Sequence, residues 1–301
     1  PGETVIIPSN VEMKIDFPIK ITSEVVGYET LIEFYEKMST IYNSVIIIDF
    51  RNNYWFEANL CAIFGAMVEE LENRGNSIKL VNIKQPKDIL SRNGFLIKWG
   101  TLKPLATYNT ELDYKTFSHK QGKSFSLYID NEILKKEGFP KLSKLLSKKI
   151  NESIFELYEN ARTHGECKNI HTCGQYFPSK KLLDITIVDM GQTIKHNVNK
   201  FKKTDWKGSD CIEWATKDKN TTKTGNISGG LGLAIIFDFI KLNGGKIQII
   251  SSDGYWELRR GKIHKQELNF SFPGTIANLE FNLSDTNEYI LKEEIDLDNI
   301  F

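Results

Sequence analysis

Glu156-Leu157-Tyr158-Glu159-Asn160-Ala161, then Asp189-Met190-Gly191, then Gly229-Gly230-Leu231-Gly232-Leu233: these three short motifs, in this order, decide how the second half of the chain reads. Leu142, Leu145, Leu146, Ile150, Ile154, Leu157 and Ala161 form one apolar stripe, which predicts a long helix from Leu142 to about Thr163. On that helix Glu156 and Asn160 lie one turn apart on one face. A neutral amide oxygen suits Mg2+, which shares itself between protein, water and phosphate. A carboxylate beside it can orient or deprotonate a water or a hydroxyl.

The run Leu183 to Asp189 reads as a strand that delivers a carboxylate to the rim of a sheet. An ionised Asp only accepts hydrogen bonds, which matches a donor such as an adenine amino group. Gly191 allows close approach or a positive φ. Gly229, Gly230 and Gly232 open an apolar helix, Leu231 to Leu242. Backbone N–H groups at such a helix start, with its dipole, make a phosphate site. Singly, each motif has an ordinary explanation: a solvated helix face, a turn closing a strand, a flexible hinge. Their order and spacing set them apart.

With Ile170 to Phe177, Gly245 to Ser251 and Asn278 to Leu283 as further strands, the pattern predicts an α/β sandwich with one layer of each. Residues 136–285 resemble the GHKL superfamily, whose Bergerat-type ATP-binding fold is shared by gyrase B, MutL, histidine kinases and anti-sigma-factor kinases. The three motifs resemble its N, G1 and G2 boxes, and Gly274-Thr275 resembles its late Gly-Thr. The resemblance implies ATP and Mg2+ as cofactors. It makes Glu156 the catalytic acid/base, Asn160 the magnesium ligand and Asp189 the adenine reader. Gly191, Gly229, Gly230, Gly232, Leu233 and Thr275 complete the nucleotide site. The family's G1 turn often has a second glycine, where this chain has Thr193.

Between the boxes, Gln192 to Ser228 is long and polar, and fits a mobile ATP lid. Its lysines, among them Lys195, Lys200 and Lys217, read first as solvated. Lys223, near the glycine turn, is the candidate phosphate contact.

Residues 1–104 alternate strand and helix signals. Val45 to Phe50 is an apolar, β-branched strand. Leu60, Ile63, Phe64, Met67, Val68 and Leu71 predict an amphipathic helix, closed by Arg74-Gly75-Asn76. Ser77 to Ile83 is the next strand, and Pro86 to Arg92 a short helix. This stretch resembles a STAS-like domain, the fold of bacterial anti-anti-sigma factors. Such factors carry a phosphorylatable serine where this chain has Phe56-Glu57-Ala58-Asn59-Leu60, with no hydroxyl. The resemblance therefore implies docking of a protein partner rather than switching by phosphorylation.

Residues 105–135 predict a connecting strand pair. Residues 286–301 predict an acidic, solvated tail. His164, Cys167, His171 and Cys173 match no zinc spacing. The balance of 39 basic and 39 acidic residues speaks against a general polyanion binder and leaves a local basic patch open. No apolar run approaches the length of a membrane span, the start lacks a signal-peptide build, and four cysteines fit a reducing cytoplasm.

Sensor histidine kinases commonly carry Asn at the Glu156 position and need an upstream helical hairpin, which is missing between 100 and 140. The leading expectation is a slow ATPase working as a nucleotide-driven regulatory switch, with ATP-dependent dimerisation as in clamp-type relatives. A serine/threonine protein kinase and a non-catalytic ATP sensor are the alternatives.

Overall fold

The computed structural model describes residues 12–84, 87–104, 111–163, 165, 167–217, 220 and 233–298. The chain is mixed α/β, with one parallel and one antiparallel main sheet.

The first unit runs β1 (Glu12–Asp16), β2 (Lys20–Ile21), α1 (Val25–Glu36), β3 (Val45–Asp49), β4 (Trp55–Phe56), α2 (Cys61–Asn73), β5 (Ser77–Val81) and α3 (Lys87–Arg92). Strands β1, β3 and β5 form a parallel sheet in that order. The parallel pairing follows from the helices between them, because only a crossover returns the chain in the same direction. Gly75, at φ 79°, ends α2 in the left-handed turn that glycine adopts without cost.

The expected amphipathic α2 is instead covered almost all round. Nine of its 13 residues are buried, including Ala62, Gly65 and Ala66. A helix apolar on every side is a core helix. Its first-unit side packs on Ile46, Ile48 and Phe50. On the other side, a Cβ on Gly65 would stand 2.3 Å from the Tyr114 hydroxyl.

That second contact belongs to the rest of the chain: β6 (Glu111–Ser118), α4 (Gly122–Tyr128), β7 (Lys141–Leu142), α5 (Lys144–Thr163), β8 (Asn169–Phe177), β9 (Leu182–Asp189), α6 (Ile194–Lys202), α7 (Gly208–Thr216), α8 (Ala234–Asn243), β10 (Lys246–Arg259), β11 (Lys262–Asn282), β12 (Glu288–Tyr289) and α9 (Lys292–Asp298). Five strands form an antiparallel sheet in the order β10-β11-β9-β8-β6. Along β9 the side chains alternate between its faces. Leu183, Ile185 and Ile187 join α4, α5 and α8 in one core. Val188 joins the first unit in the other.

The second unit contributes one layer of helices to this sheet, and the first unit supplies the other. The sheet carries helices on both faces, α5 and α8 on one and α1 and α2 on the other. The face toward the first unit is largely polar. Asn59 Nδ2 donates to Ser23 Oγ (2.8 Å) and Thr186 Oγ1 (3.0 Å), and Thr186 Oγ1 donates to Asn278 Oδ1 (2.7 Å). Tyr28 OH and Asn278 Nδ2 both donate to Gln248 Oε1. The Ala58 amide donates to Gln175 Oε1 at 2.6 Å. Lys246, 2% exposed, donates to the Ser23 carbonyl and sits 3.3 Å from Glu280 and 3.5 Å from Glu24. The Phe56–Leu60 segment, where the resemblance would place a phosphorylatable serine, is therefore buried within the chain.

Three further expectations change. The predicted strand pair over 105–135 is one edge strand, β6, followed by α4 and a wider turn, Ile129–Leu134; residues 105–110 lie outside the described residues. Phe125, Tyr128, Ile129 and Ile133 bury at helical spacing, so their aromatic content reflects packing, not strand. The lid is not loop throughout, since α6 and α7 lie in it. The tail is folded over its described residues, 286–298: β12 pairs with β7, and Glu294 Oε2 accepts from the Ser143 hydroxyl (2.5 Å) and the Leu291 amide (2.8 Å). No described helix is long and apolar enough to cross a membrane.

Candidate functional site

The site is a cleft between α5, the rim of the five-stranded sheet and the α6–α7 segment. Glu156, Asn160, Asp189, Leu233 and Thr275 all line it. They come from four separate stretches of sequence. The cleft is open to solvent, and its empty space with that open solvent included is about 1070 Å3.

Helix α5 buries Ile150, Ile154, Tyr158 and Ala161 against the sheet. That fixes the helix rotation and turns Glu156 and Asn160 to the cleft. The Asn160 carbonyl accepts the Gly165 amide at 3.1 Å, which ends the helix. A hard amide oxygen one turn from a carboxylate fits Mg2+, which takes one or two protein ligands and fills its shell with water and phosphate. Among the described residues no group of three His, Cys, Asp or Glu side chains is placed to hold a metal alone.

Asp189 ends β9 and is 5% exposed. Its Oδ1 accepts the Gly191 amide at 3.1 Å. Burial pushes its carboxyl up to about 7, and the Gly191 hydrogen bond opposes that in part. Of the two reasons for a glycine at 191, close approach is the one realised: a Cβ there would stand 2.0 Å from the Gly165 carbonyl oxygen. Gly274 is equally constrained, with a Cβ 2.0 Å from the Asp189 carbonyl oxygen. Three backbone segments thus close around one carboxylate.

Strand register sets the rest of the rim. Asp189 on β9 stands opposite Thr275 on β11, and Thr275 opposite Ser251 on β10. Ser251 Oγ donates to the Gly274 carbonyl (2.7 Å), accepts the Ile194 amide (2.9 Å) and lies 3.2 Å from Thr275 Oγ1. The start of α6 is thereby tied to the Gly274-Thr275 strand. Thr193, where a second turn glycine was the alternative, is extended and caps α6 through its Oγ1, which accepts the His196 amide at 3.1 Å.

Gly229, Gly230, Gly232 and Lys223 lie outside the described residues. So does His164. His171 and Cys173, two apart on β8, share the face toward the first unit. His171 Nδ1 pairs with the Tyr114 hydroxyl at 2.9 Å, and Cys173 Sγ accepts from Asn93 Nδ2 at 3.5 Å. Burial, with the Asp189 carboxylate second, pushes the Cys167 thiol up to about 12, which disfavours the thiolate.

Trp214, Asn197, Gln192 and Ser251 also face or frame the cleft and were not singled out in the sequence. Ser251 had a signal: it continues the alternation of Ile247 and Ile249 onto the cleft face. Trp214 had none, because its helix was read as loop. No protein-family model matches the chain, and no curated protein matches it.

Proposed function

We propose that the cleft binds ATP with Mg2+, and that the chain is a GHKL-type ATP-binding protein working as a slow ATPase. The observation that carries this is the convergence of Glu156, Asn160, Asp189, Leu233 and Thr275 on one cleft. The reading assigns adenine to Asp189 and Thr275 at the sheet rim. It assigns the magnesium-bound phosphates to Asn160 and the segment before α8. Glu156 then lies beside the phosphates, where a carboxylate takes a proton from an attacking water. Mg2+, when bound, supplies charge neutralisation at the phosphates.

On this reading residues 136–285 are a Bergerat-type domain and residues 1–104 a STAS-like one. The polar contact between them makes the pair a single switch. It is cytoplasmic and regulatory, and it dimerises with ATP. A partner meets surfaces of the first unit other than Phe56–Leu60, because that segment is already buried.

Purified protein incubated with γ-labelled ATP and Mg2+ tests the reaction. Released phosphate that disappears in Glu156→Ala is expected. Label transferred to a partner protein marks a serine/threonine kinase instead. Retention of unchanged ATP marks a sensor.

A further inference from the structure

The α6–α7 corner carries a cluster of exposed lysines and aromatic side chains. Lys200, Phe201, Lys202, Lys203, Thr204, Asp205, Trp206 and Lys207 are exposed in unbroken succession. Four are lysines and one is acidic. Among the described residues no ion pair engages Lys200, Lys202, Lys203 or Lys207. The neighbouring acids of α7 are neutralised elsewhere: Lys265 bridges Asp210 at 2.7 Å and also pairs with Glu213. Whole-chain neutrality therefore conceals a local cationic surface.

The helix dipole accounts for Lys200 and Lys202, which stand in the last turn of α6. It does not account for Lys203 and Lys207 beyond the helix, nor for the aromatic side chains among them. Phe201 is 46% and Trp206 37% exposed. The Lys202 ammonium lies 4.8 Å from the Trp214 ring centroid, and Phe201 packs against the same ring at 6.1 Å.

This corner is also built rather than loose. Asn199 Oδ1 accepts from Thr204 Oγ1 (3.0 Å) and from the Trp206 amide (2.8 Å), and its Nδ2 donates to the Trp206 carbonyl (3.0 Å). One side chain holds the turn with three hydrogen bonds, so the backbone that displays the aromatics and lysines is ordered before binding and only their side chains remain to be fixed.

We propose that this corner binds single-stranded nucleic acid, the lysines meeting phosphates and the Trp206 and Phe201 rings stacking on bases. Lysines alone fit any polyanion. Interleaved exposed rings select one whose bases are free to stack. The inference does not depend on the nucleotide cleft, and its test reads a separate property.

Fluorescence anisotropy with a labelled oligothymidylate of about 16 nucleotides, within the span such surfaces cover, tests it on the full chain. Saturable binding is expected. Log K should fall with log salt at a slope of about −2 to −3 for three to four phosphates. Lys203→Gln with Lys207→Gln should lower that slope by about 1.4. Trp206→Ala should weaken binding roughly tenfold at an unchanged slope, with circular dichroism confirming the fold. Three results would overturn the proposal: no binding at low salt, equal binding to the corresponding duplex, or binding to poly-glutamate that matches the oligonucleotide. The last result points to an acidic protein partner.

Discussion

Asp189 and Thr275 stand directly opposite each other on antiparallel neighbours β9 and β11, and both line the cleft. Two residues 86 positions apart (275 − 189) thus become neighbours on one rim of the cleft. The pairing is held on both sides: Gly274 permits the approach of the Asp189 backbone, and Ser251 fixes the Gly274 carbonyl.

The first prediction concerns pH. With its carboxyl near 7, Asp189 is mostly protonated at pH 6 and ionised at pH 8. Only the ionised form accepts from an adenine amino group with either oxygen. ATP affinity should therefore be about tenfold weaker at pH 6 than at pH 8, the fraction ionised setting the loss. Titrations at both values check this. Asp189→Asn should bind weakly and show a flat profile.

A second prediction concerns stability in the polar contact between the units. Asp184 is buried, and burial first, then Glu280, pushes its carboxyl up to about 8. The folded state holds this proton more tightly than the unfolded chain. Its contribution is therefore favourable in acid and is lost as pH rises from about 4 to about 8. Asp184→Asn should gain stability relative to wild type across that window and level off above it. Denaturant melts of both proteins from pH 5 to 9 read the difference. A difference independent of pH counts against the buried acid.

Lys246 is the cation that the same region depends on, close to Glu280 and Glu24. Lys246→Met leaves Glu280, whose side chain is only 13% exposed, without its cation, while Glu24 at 51% stays solvated. A loss of about 3–5 kcal/mol is expected, measured by urea unfolding. Adding Glu280→Gln should recover part of it, and additivity of the two substitutions would argue that they do not interact.

Because α2 packs on both sheets, the two units should unfold together. Tryptophan fluorescence and far-ultraviolet circular dichroism should give coincident transitions. Asn59→Asp should lower that single midpoint by placing an uncompensated charge among Ser23, Thr186 and Asn278. A separate, earlier melt of either unit would contradict the shared core.

Local chemistry was legible in the sequence where a period carried it. The spacing of α5 turned Glu156 and Asn160 to one face, and the alternation of β9 brought Asp189 to the rim. What sequence reading missed was tertiary. Ala62, Gly65 and Ala66 looked like gaps in an amphipathic stripe, and they are small because a second sheet lies against them. Thr186 and Asn278 are polar residues inside strands, and they hydrogen-bond Asn59 of the first unit. The lysines and asparagines of α6 concealed a helix whose cap, Thr193, was noticed only as a missing glycine.

The measurement that bears most directly on the cleft is calorimetric titration of Mg-ATP into wild type, Glu156→Ala and Asp189→Asn at pH 8. The account predicts saturable binding in wild type, comparable affinity in Glu156→Ala and at least tenfold weaker binding in Asp189→Asn, about 1.4 kcal/mol or more. No heat with wild type, or affinity unchanged by Asp189→Asn, would contradict it.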